Sequence, residues 1–338
     1  MNSFLVFLTR RFLFAILVLA SVSLITFTLS HIVPIDPARL IAGPHATESI
    51  VENVRKQYNL DKPLPQQYLG YMSGLLRFDF GLSIRTKRPV AEDLGEFLPA
   101  SIELILASVV MTLVIGIPLG VAGAVFKSRA PDYLSRFISL IGVSVPVFWL
   151  ALLTQLAFYF HLGWAPSGGR LDLLTSAPPG ITGLYTLDSL IGGQWQTFLN
   201  SIVHLVLPAS VLAFSSFAVV SRMLRASMIE VLTEPYVMVA RAKGLPEISV
   251  VGKHALKNAV LPTITVLGLQ VGFLVSGAVL VEIIFSWPGI GRYAVDSIVA
   301  GDYNGIMAVT LVIALIYVVI NLLVDLTYAW LDPRIRLA

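Results

Sequence analysis

The sequence contains no cysteine and few charged residues. Without cysteine the chain can form no disulfide, thiolate metal site or cysteine nucleophile. Charged residues make up 13% of the 338 residues, and hydrophobic residues make up 56%. Soluble domains carry about 25% charged residues, so this chain lacks the polar surface that a soluble core of this size needs. The composition argues against a soluble enzyme, a nucleic-acid binder and a disordered protein.

Motifs of nucleotide and metal chemistry are also missing. The chain has no G-x-x-x-x-G-K-[ST] loop for ATP phosphates, no H-E-x-x-H zinc pair and no G-x-S-x-G nucleophile elbow. Its five histidines show no metal-ligand spacing. We therefore expect no catalytic residue, no metal site and no cofactor bound by this chain.

Six long stretches of the sequence carry no charged residue. A helix of about 20 apolar residues spans the hydrocarbon core of a bilayer, and backbone in lipid must satisfy its own hydrogen bonds. We expect each stretch to be a transmembrane helix. This includes the first, which is longer than the core of a signal peptide and lacks a cleavage site. The stretches are Phe12–Val33, Leu104–Phe126, Phe137–Phe160, Ser189–Ser221, Asn258–Val281 and Tyr303–Val324.

The distribution of Lys and Arg predicts the orientation of these helices. The N-terminal tail, the loops after helices 2 and 4, and the C-terminal tail with Arg334 and Arg336 hold 13 of the 23 cationic residues. The short loops on the other side hold one each, Arg170 and Arg292. Cationic short loops stay in the cytoplasm, so both termini are predicted to be cytoplasmic. The net charge of +3 is therefore a topology signal and does not indicate a nucleic-acid partner.

The long loop between helices 1 and 2, residues 34–98, is predicted to form an external helical cap. Ser49 and Glu52 have the spacing of a capping box and predict a short helix ending near Tyr58. Apolar residues at helical spacing predict a second helix: Tyr68, Leu69, Met72, Leu75 and Leu76. The alternative is an amphipathic segment lying on lipid headgroups. The other external segment, Leu162–Gln196, is rich in Gly, Pro and Ser and is predicted to be loop.

Ionisable residues within membrane helices are candidates for function. Glu103, Glu282 and Asp325 all fall at predicted helix ends, where water is reachable. The lack of a central carboxylate argues against a proton- or sodium-coupled carrier. His204 is either a proton relay or a hydrogen-bonded packing residue. Three prolines lie within predicted helices and can kink them: Pro118, Pro146 and Pro208.

The cytoplasmic segment after helix 4 predicts a helix–turn–helix elbow. Helix-forming residues run from Glu230 to Lys243, and Gly244 is a natural C′ stop. A second helical stretch follows Leu245 and Pro246 and runs from about Glu247 to Ala255. Small residues beside the turn, Ala240 and Ala242, allow close approach to another surface. The same composition also fits a basic loop that lies on anionic lipid.

Several segments resemble those of a known transporter family. The runs Tyr236-Val-Met-Val-Ala-Arg-Ala-Lys-Gly-Leu-Pro246 and His254-Ala-Leu-Lys-Asn-Ala-Val-Leu-Pro262 resemble the EAA loop of binding-protein-dependent ABC importer permeases. Where sugar importers carry Leu-Pro, this chain has Leu256-Lys257, as in the dipeptide, oligopeptide and nickel subfamily. The other matching segments are Ile35-Asp-Pro-Ala-Arg39, Phe78-Asp-Phe-Gly-Leu-Ser83, Val145-Pro-Val-Phe-Trp149, Glu282-Ile-Ile-Phe-Ser-Trp-Pro-Gly-Ile-Gly291 and Asn321 to Arg336.

The resemblance implies an all-α polytopic membrane protein with six transmembrane helices. Its parts would be a tail and first helix over 1–33, the external cap over 34–98, and a five-helix permease core over 99–338 with a coupling loop at 222–257. It further implies a multi-pass permease in a bacterial inner membrane. The implied partners are a second homologous permease, two cytoplasmic ATPases that use ATP and Mg, an extracytoplasmic binding protein and membrane lipid.

The resemblance also implies roles for particular residues. ATPase coupling would fall to Glu230, Tyr236, Ala240, Arg241, Ala242, Lys243, Gly244, Leu245 and Pro246. Apart from the resemblance, the segment with Trp287, Pro288, Gly289 and Gly291 is predicted to be a fixed external turn that either forms a gate or merely ends helix 5. The translocation pathway is predicted to include Pro146, Phe148, Gln270 and Glu282. The expected substrate is a short peptide. Nickel or another oligomeric solute, an ion-coupled secondary carrier and a membrane scaffold protein are the alternatives.

Overall fold

The computed structural model describes residues 2–32, 37–43, 45–57 and 60–331, and within them the chain is helical. The only paired extended residues in these ranges are Leu82 and Pro89, which form an isolated antiparallel bridge. Predictions about Pro34, Tyr58 and the tail with Arg334 and Arg336 lie outside the described residues. In chain order the helices are α1 (Asn2–Ile32), α2 (Pro37–Ala42), α3 (Glu48–Gln57), α4 (Leu64–Leu75), α5 (Val90–Val125), α6 (Ala130–Ser144), α7 (Val147–Thr154), α8 (Tyr185–Ile191), α9 (Trp195–Val231), α10 (Pro235–Ala242), α11 (Glu247–Ser249), α12 (Leu256–Ile284), α13 (Ile290–Ala300) and α14 (Tyr303–Leu331). Two π-helical segments, Gln155–His161 and Val250–Ala255, prolong α7 and lead into α12.

Five segments of the described chain are long and apolar enough to cross a membrane. They are Thr9–Ser30, Val90–Val125, Trp195–Val231, Glu247–Ile284 and Tyr303–Thr327. The bent pair Ala130–Ser144 and Val147–His161 makes a sixth if it counts as one span. The prediction of an all-α polytopic membrane protein is therefore confirmed, and the count of six holds if the bent pair crosses the membrane.

The third predicted span is broken rather than kinked. Its two helices meet at 106°, and Pro146 lies between them as the N-cap of α7, with extended backbone. The expectation of a proline inside a continuous helix is wrong here, because Val145 is also extended and the helix ends before it. Pro208 does lie inside α9, as predicted.

The described helices group into two compact units. One comprises Met1–Pro99 with Gly289–Val319, and the other comprises Ala100–Pro288 with Ile320–Ala338. The first unit has a buried apolar core drawn from the start of α5, from α13 and from α14: Val90, Leu94, Ile290, Tyr293, Ala308 and Val309. Burial raises the pKa of Tyr293 to about 12, so this hydroxyl stays protonated and donates a hydrogen bond to Asp93 (3.0 Å).

Helices α3 and α4 confirm the predicted helical segments of the cap. In α4, Tyr68 is hydrogen-bonded to Ser23 of α1 (2.8 Å), and its ring packs edge-on against Phe27. Leu69 and Leu76 are exposed, so the apolar residues of this repeat do not all face the protein. The exposed ones leave an apolar surface of the kind that the lipid-headgroup alternative requires.

The predicted capping box is wrong in detail. Helix α3 begins at Glu48, and the backbone N–H groups of Ile50 and Val51 donate to the carbonyl oxygen of Thr47. The helix therefore starts one residue before Ser49. Glu52 pairs with Arg55 (2.9 Å) one turn later instead of reaching back to Ser49.

In the second unit, α5 and α9 run in parallel at close range. Gly116, Gly120 and Gly123 of α5 face successive turns of α9 at Phe217, Ser221 and Arg225. A Cβ on Gly120 would lie 2.8 Å from the backbone oxygen of Ser221, so the approach requires glycine. Because the two helices are parallel, their C-terminal ends lie on the same side of the unit.

Candidate functional site

The predicted elbow is present between α9 and α12. Helix α10 ends at Ala242, and Gly244 adopts a left-handed conformation with φ +75°. The N–H groups of Lys243, Gly244 and Leu245 donate to carbonyl oxygens of α10's last turn, which satisfies the end of the helix. The predicted glycine stop is confirmed. The helix that follows does not end at Ala255, because it runs without interruption into α12.

Ala240 does not face outward, as a direct contact with a partner would require. It is buried in a small core with Val237 and Val250, against which Val231 and Leu232 pack. Its side chain must be small because it holds α10 against the following helix. Ala242, in contrast, is exposed.

Arg241 is paired within the chain. Its guanidinium donates to the carboxylate of Glu247 (2.7 Å), across the Gly244 turn. This guanidinium therefore has an acidic partner within its own chain, and its role in ATPase coupling stays a prediction. Lys243 is exposed and has no ionic partner among the described residues.

The outer surface of the elbow is mainly apolar. Its exposed hydrophobic residues are Tyr236, Met238, Val239, Leu245 and Ile248, and Ile248 is 85% exposed. Glu230 lies in the last turn of α9 and is exposed, and Pro246 is the N-cap of α11. Two residues of this site were not predicted, Ile248 and Asn258. The side-chain amide of Asn258 donates to the Tyr236 hydroxyl (2.7 Å). Ile248 could have been predicted to belong to this site, because an apolar side chain in a predicted cytoplasmic segment indicates a contact surface.

The predicted gate segment begins with a buried tryptophan. Trp287 is 1% exposed, and its indole N–H donates to the carbonyl oxygen of Ala100 (2.8 Å). The predicted fixed turn is present, because the Trp287 N–H donates to the Glu282 oxygen (2.8 Å). Gly289 is the N-cap of α13, and Gly291 lies buried inside that unpredicted helix. Trp287 is therefore packed against α5, and the role of this segment as an external gate stays a prediction.

The two carboxylates of this region are not reached by water as predicted. Glu282 is fully buried and accepts a hydrogen bond from Ser101. Glu103 is also buried, well inside α5, and forms an ion pair with Arg170 (2.6 Å). Arg170 was assigned only to a loop, yet its guanidinium lies over the Tyr185 ring (3.5 Å to the centroid).

The segment Leu162–Gln196, which holds Arg170, is more ordered than predicted. It contains α8, whose first turn binds Glu103 through the N–H and hydroxyl of Thr186 (2.7 Å each). Asp172 is bound by Asn200 and by His204 of α9, and these two groups hold the pKa of Asp172 below its usual value. His204 also contacts the carbonyl oxygens of Gly168 and Gly169, as expected of a hydrogen-bonded packing residue.

The four predicted pathway residues are not brought together. Pro146 and Phe148 lie exposed at the break between α6 and α7, whereas Gln270 and Glu282 are buried in α12. Gln270 and Glu282 are separated by about 18 Å along the helix axis. Their role in a pathway therefore stays a prediction.

Two sequence profiles match this chain. The profile described as "Binding-protein-dependent transport system inner membrane component" matches residues 116–337. The profile of the N-terminal part of such membrane components matches residues 4–104. The chain belongs to this family.

Curated relatives are similar over almost their whole length. The "Probable D,D-dipeptide transport system permease protein DdpB" of Escherichia coli is 48% identical, over 95% of this chain and 94% of its own. The "Dipeptide transport system permease protein DppB" of Alkalihalophilus pseudofirmus is 43% identical, over 97% and 98%. The "Glutathione transport system permease protein GsiC" of Escherichia coli is 40% identical, over 98% of both. A solved structure of the MetNI methionine ABC transporter has a TM-score of 0.49 and 16% identity, over 69% of this chain and 93% of its own.

Proposed function

We propose that this chain is half of the membrane pathway of an ATP-driven importer of short peptides. Two of the relatives above carry dipeptide in their names, and the family is binding-protein-dependent. Peptide is delivered by an extracytoplasmic binding protein, and a second, similar permease completes the pathway. ATP and Mg are used by two cytoplasmic ATPase subunits and not by this chain.

The apolar surface of the elbow is the observation that carries the proposal. Tyr236, Met238, Val239, Leu245 and Ile248 expose hydrophobic side chains on a segment whose neighbours are basic. An exposed apolar patch with a polar rim is typical of a protein–protein interface. Because the elbow itself is held by a buried core, it presents this surface in a fixed shape. We therefore expect the ATPase to dock on this elbow through its shape and its apolar contacts more than through charge.

The parallel course of α5 and α9 supports the proposed orientation. Lys127 and Arg129 follow α5, and the basic elbow follows α9, so both basic segments lie at the same end of the second unit. Cationic segments stay in the cytoplasm. With the bent pair of α6 and α7 as one span, the number of crossings is even and both termini are cytoplasmic.

The contacts of Glu103 argue against the ion-coupled alternative. A coupling site needs a carboxylate that exchanges its cation with the pathway. Glu103 is already paired with a buried arginine and accepts two hydrogen bonds from Thr186. The glutathione permease among the relatives keeps glutathione, a tripeptide, within the range of candidate substrates.

Purification from the native host in mild detergent and uptake assays test the proposal together. We expect an ABC ATPase to copurify, and uptake of a radiolabelled dipeptide to stop when this chain is deleted. Uptake should be abolished by orthovanadate and should survive a protonophore while ATP is maintained. Parallel assays with D-alanyl-D-alanine, an L,L-dipeptide, glutathione and Ni²⁺ identify the substrate class. Uptake that is lost with the protonophore alone, or a preparation without any ATPase, contradicts the proposal.

A further inference from the structure

Helix α10 makes contacts along its whole length with the segment that leads into α12. At its start, the Tyr236 hydroxyl accepts a hydrogen bond from Asn258 (2.7 Å). In its middle, Val237 and Ala240 are buried against Val250. At its end, Arg241 pairs with Glu247 (2.7 Å). Together these three contacts join α10 to the segment from Glu247 to Asn258.

The contacts differ in strength. The Arg241–Glu247 pair is exposed, and exposed ion pairs contribute little. The buried core of Val237, Ala240 and Val250 resists separation of the two helices but also touches the end of α9 through Val231 and Leu232. The hydrogen bond between Tyr236 and Asn258 is exposed as well, but it is directional and reaches beyond the elbow into α12 itself. This bond therefore makes α12 the helix that moves together with α10.

Asn258 lies in a turn of α12 that a proline weakens. Pro262 lies inside α12 and has no N–H to donate to the carbonyl oxygen of Asn258, four residues earlier. A proline at such a position also crowds that carbonyl and favours a bend. The side chain that ties α12 to the elbow thus belongs to the residue whose backbone has lost its helical partner. Movement applied below Pro262 can bend α12 there without unwinding it.

We propose that Tyr236 and Asn258 are positioning residues that pass the movement of the ATPase-docking elbow to α12, which bends at Pro262. This inference rests on the proposed function. The elbow is then more than a docking surface, because its hydroxyl–amide bond determines which membrane helix responds to the ATPase. Loss of the bond leaves the docking surface and the buried core in place but weakens the connection between α10 and α12.

The test compares Tyr236→Phe, Asn258→Ala and the double variant with the unsubstituted protein. The assembled transporter, with its copurified ATPase, is reconstituted in liposomes. Dipeptide imported and ATP hydrolysed are measured in the same sample. Tyr133→Phe is the matched control, because Tyr133 is an exposed tyrosine of α6 whose hydroxyl has no hydrogen-bond partner among the described residues. We expect each single variant to import about threefold less dipeptide per ATP, within the range that one hydrogen bond supports. Tyr133→Phe should leave the ratio unchanged.

The double variant separates coupling from a structural effect. If the two residues act through their shared bond, the double variant should be no worse than either single variant. A merely structural defect lowers the amount of assembled transporter but not the dipeptide imported per ATP. An unchanged ratio in both single variants, with ATPase bound and import intact, overturns this inference and leaves the proposed function standing. If no ATPase copurifies with the unsubstituted chain, both fail.

Discussion

Glu103 and Arg170 form an ion pair (2.6 Å) in which both side chains are almost fully buried. Arg170 comes from a glycine-rich segment between α7 and α8, and Glu103 comes from the interior of the long helix α5. The same arginine donates to the Gly183 oxygen (2.8 Å) and lies against Tyr185 and Trp287. One side chain thus joins the segment around Arg170, Trp287 and α5 within the second unit.

Removal of Arg170 should destabilise this unit strongly. Arg170→Met leaves Glu103 buried without its cation, and breaking a buried pair from one side costs about 3–5 kcal/mol. The variant with both Arg170→Met and Glu103→Gln should recover part of that loss, because no unpaired charge remains. Thermal unfolding of the purified protein in detergent measures the difference.

Arg222→Met is the matched control for this comparison. Arg222 is an exposed arginine with no ionic partner among the described residues, so its loss should change the midpoint very little. A single Arg170→Met variant as stable as the control would show that the pair contributes nothing.

The orientation can be read from introduced cysteines in this naturally cysteine-free chain. Arg170 is unsuitable as a labelling site because it is buried, whereas Leu173 in the same segment is fully exposed. In spheroplasts an impermeant maleimide should label Leu173→Cys and leave Ile248→Cys unlabelled. Inverted vesicles should give the opposite pattern. Labelling of Ile248→Cys in intact spheroplasts would place the elbow outside and reverse the proposed topology.

The contact between α5 and α9 should tolerate no side chain at Gly120. A Cβ there would lie 2.8 Å from the Ser221 backbone oxygen, so the two helices must move apart. We expect Gly120→Ala to destabilise the protein by about 1–3 kcal/mol, as overpacking does. Gly95→Ala, in the same helix, meets nothing within 4 Å and should be neutral or stabilising, since alanine favours helix over glycine. The two midpoints are compared in one detergent, and equal values would show that the close approach is not needed.

The parts of the fold that could be predicted depend on short-range signals. A charge-free run can be recognised in the sequence alone, and it predicted the span at α9. A glycine placed after a helix can be recognised in the same way, and it predicted the left-handed conformation of Gly244. The 106° break at Pro146 could not be predicted, because proline marks a weak point but tertiary packing sets the angle. The proline signals at Pro146 and Pro208 are alike, yet only one of the two positions is broken.

The contacts of the candidate sites were harder to predict than their positions. Arg170 and Glu103 are 67 residues apart, and Asn258 and Tyr236 are 22 apart, so no local pattern pairs them. Ala240 shows a different limit. Its small size was recognised, but the same small size serves burial inside the elbow as well as contact with a partner. Only the packing of Val237 and Val250 decides between these roles.

The final prediction concerns the turn at the tip of the elbow. Gly244 has φ +75° with open space around its Cα, so a substitution there is limited by the backbone and not by a clash. A β-branched residue in a left-handed conformation costs roughly 1–2 kcal/mol, which is enough to displace Leu245 and Ile248 from the apolar surface. We expect Gly244→Val to insert normally but to lose its copurified ATPase or to hydrolyse ATP without importing dipeptide.

Two companion variants separate shape from charge at this surface. Ile248→Asp keeps the turn and places a charge on the apolar surface, so it should also release the ATPase. Lys243→Gln removes an exposed charge of the kind that contributes about 0–1 kcal/mol when paired, and it should keep most of the import. All variants are compared at matched expression by ATPase copurification and dipeptide uptake. If Gly244→Val and Ile248→Asp both import normally with the ATPase bound, the ATPase does not dock on this elbow. If Lys243→Gln alone releases the ATPase, charge and not shape holds the complex together.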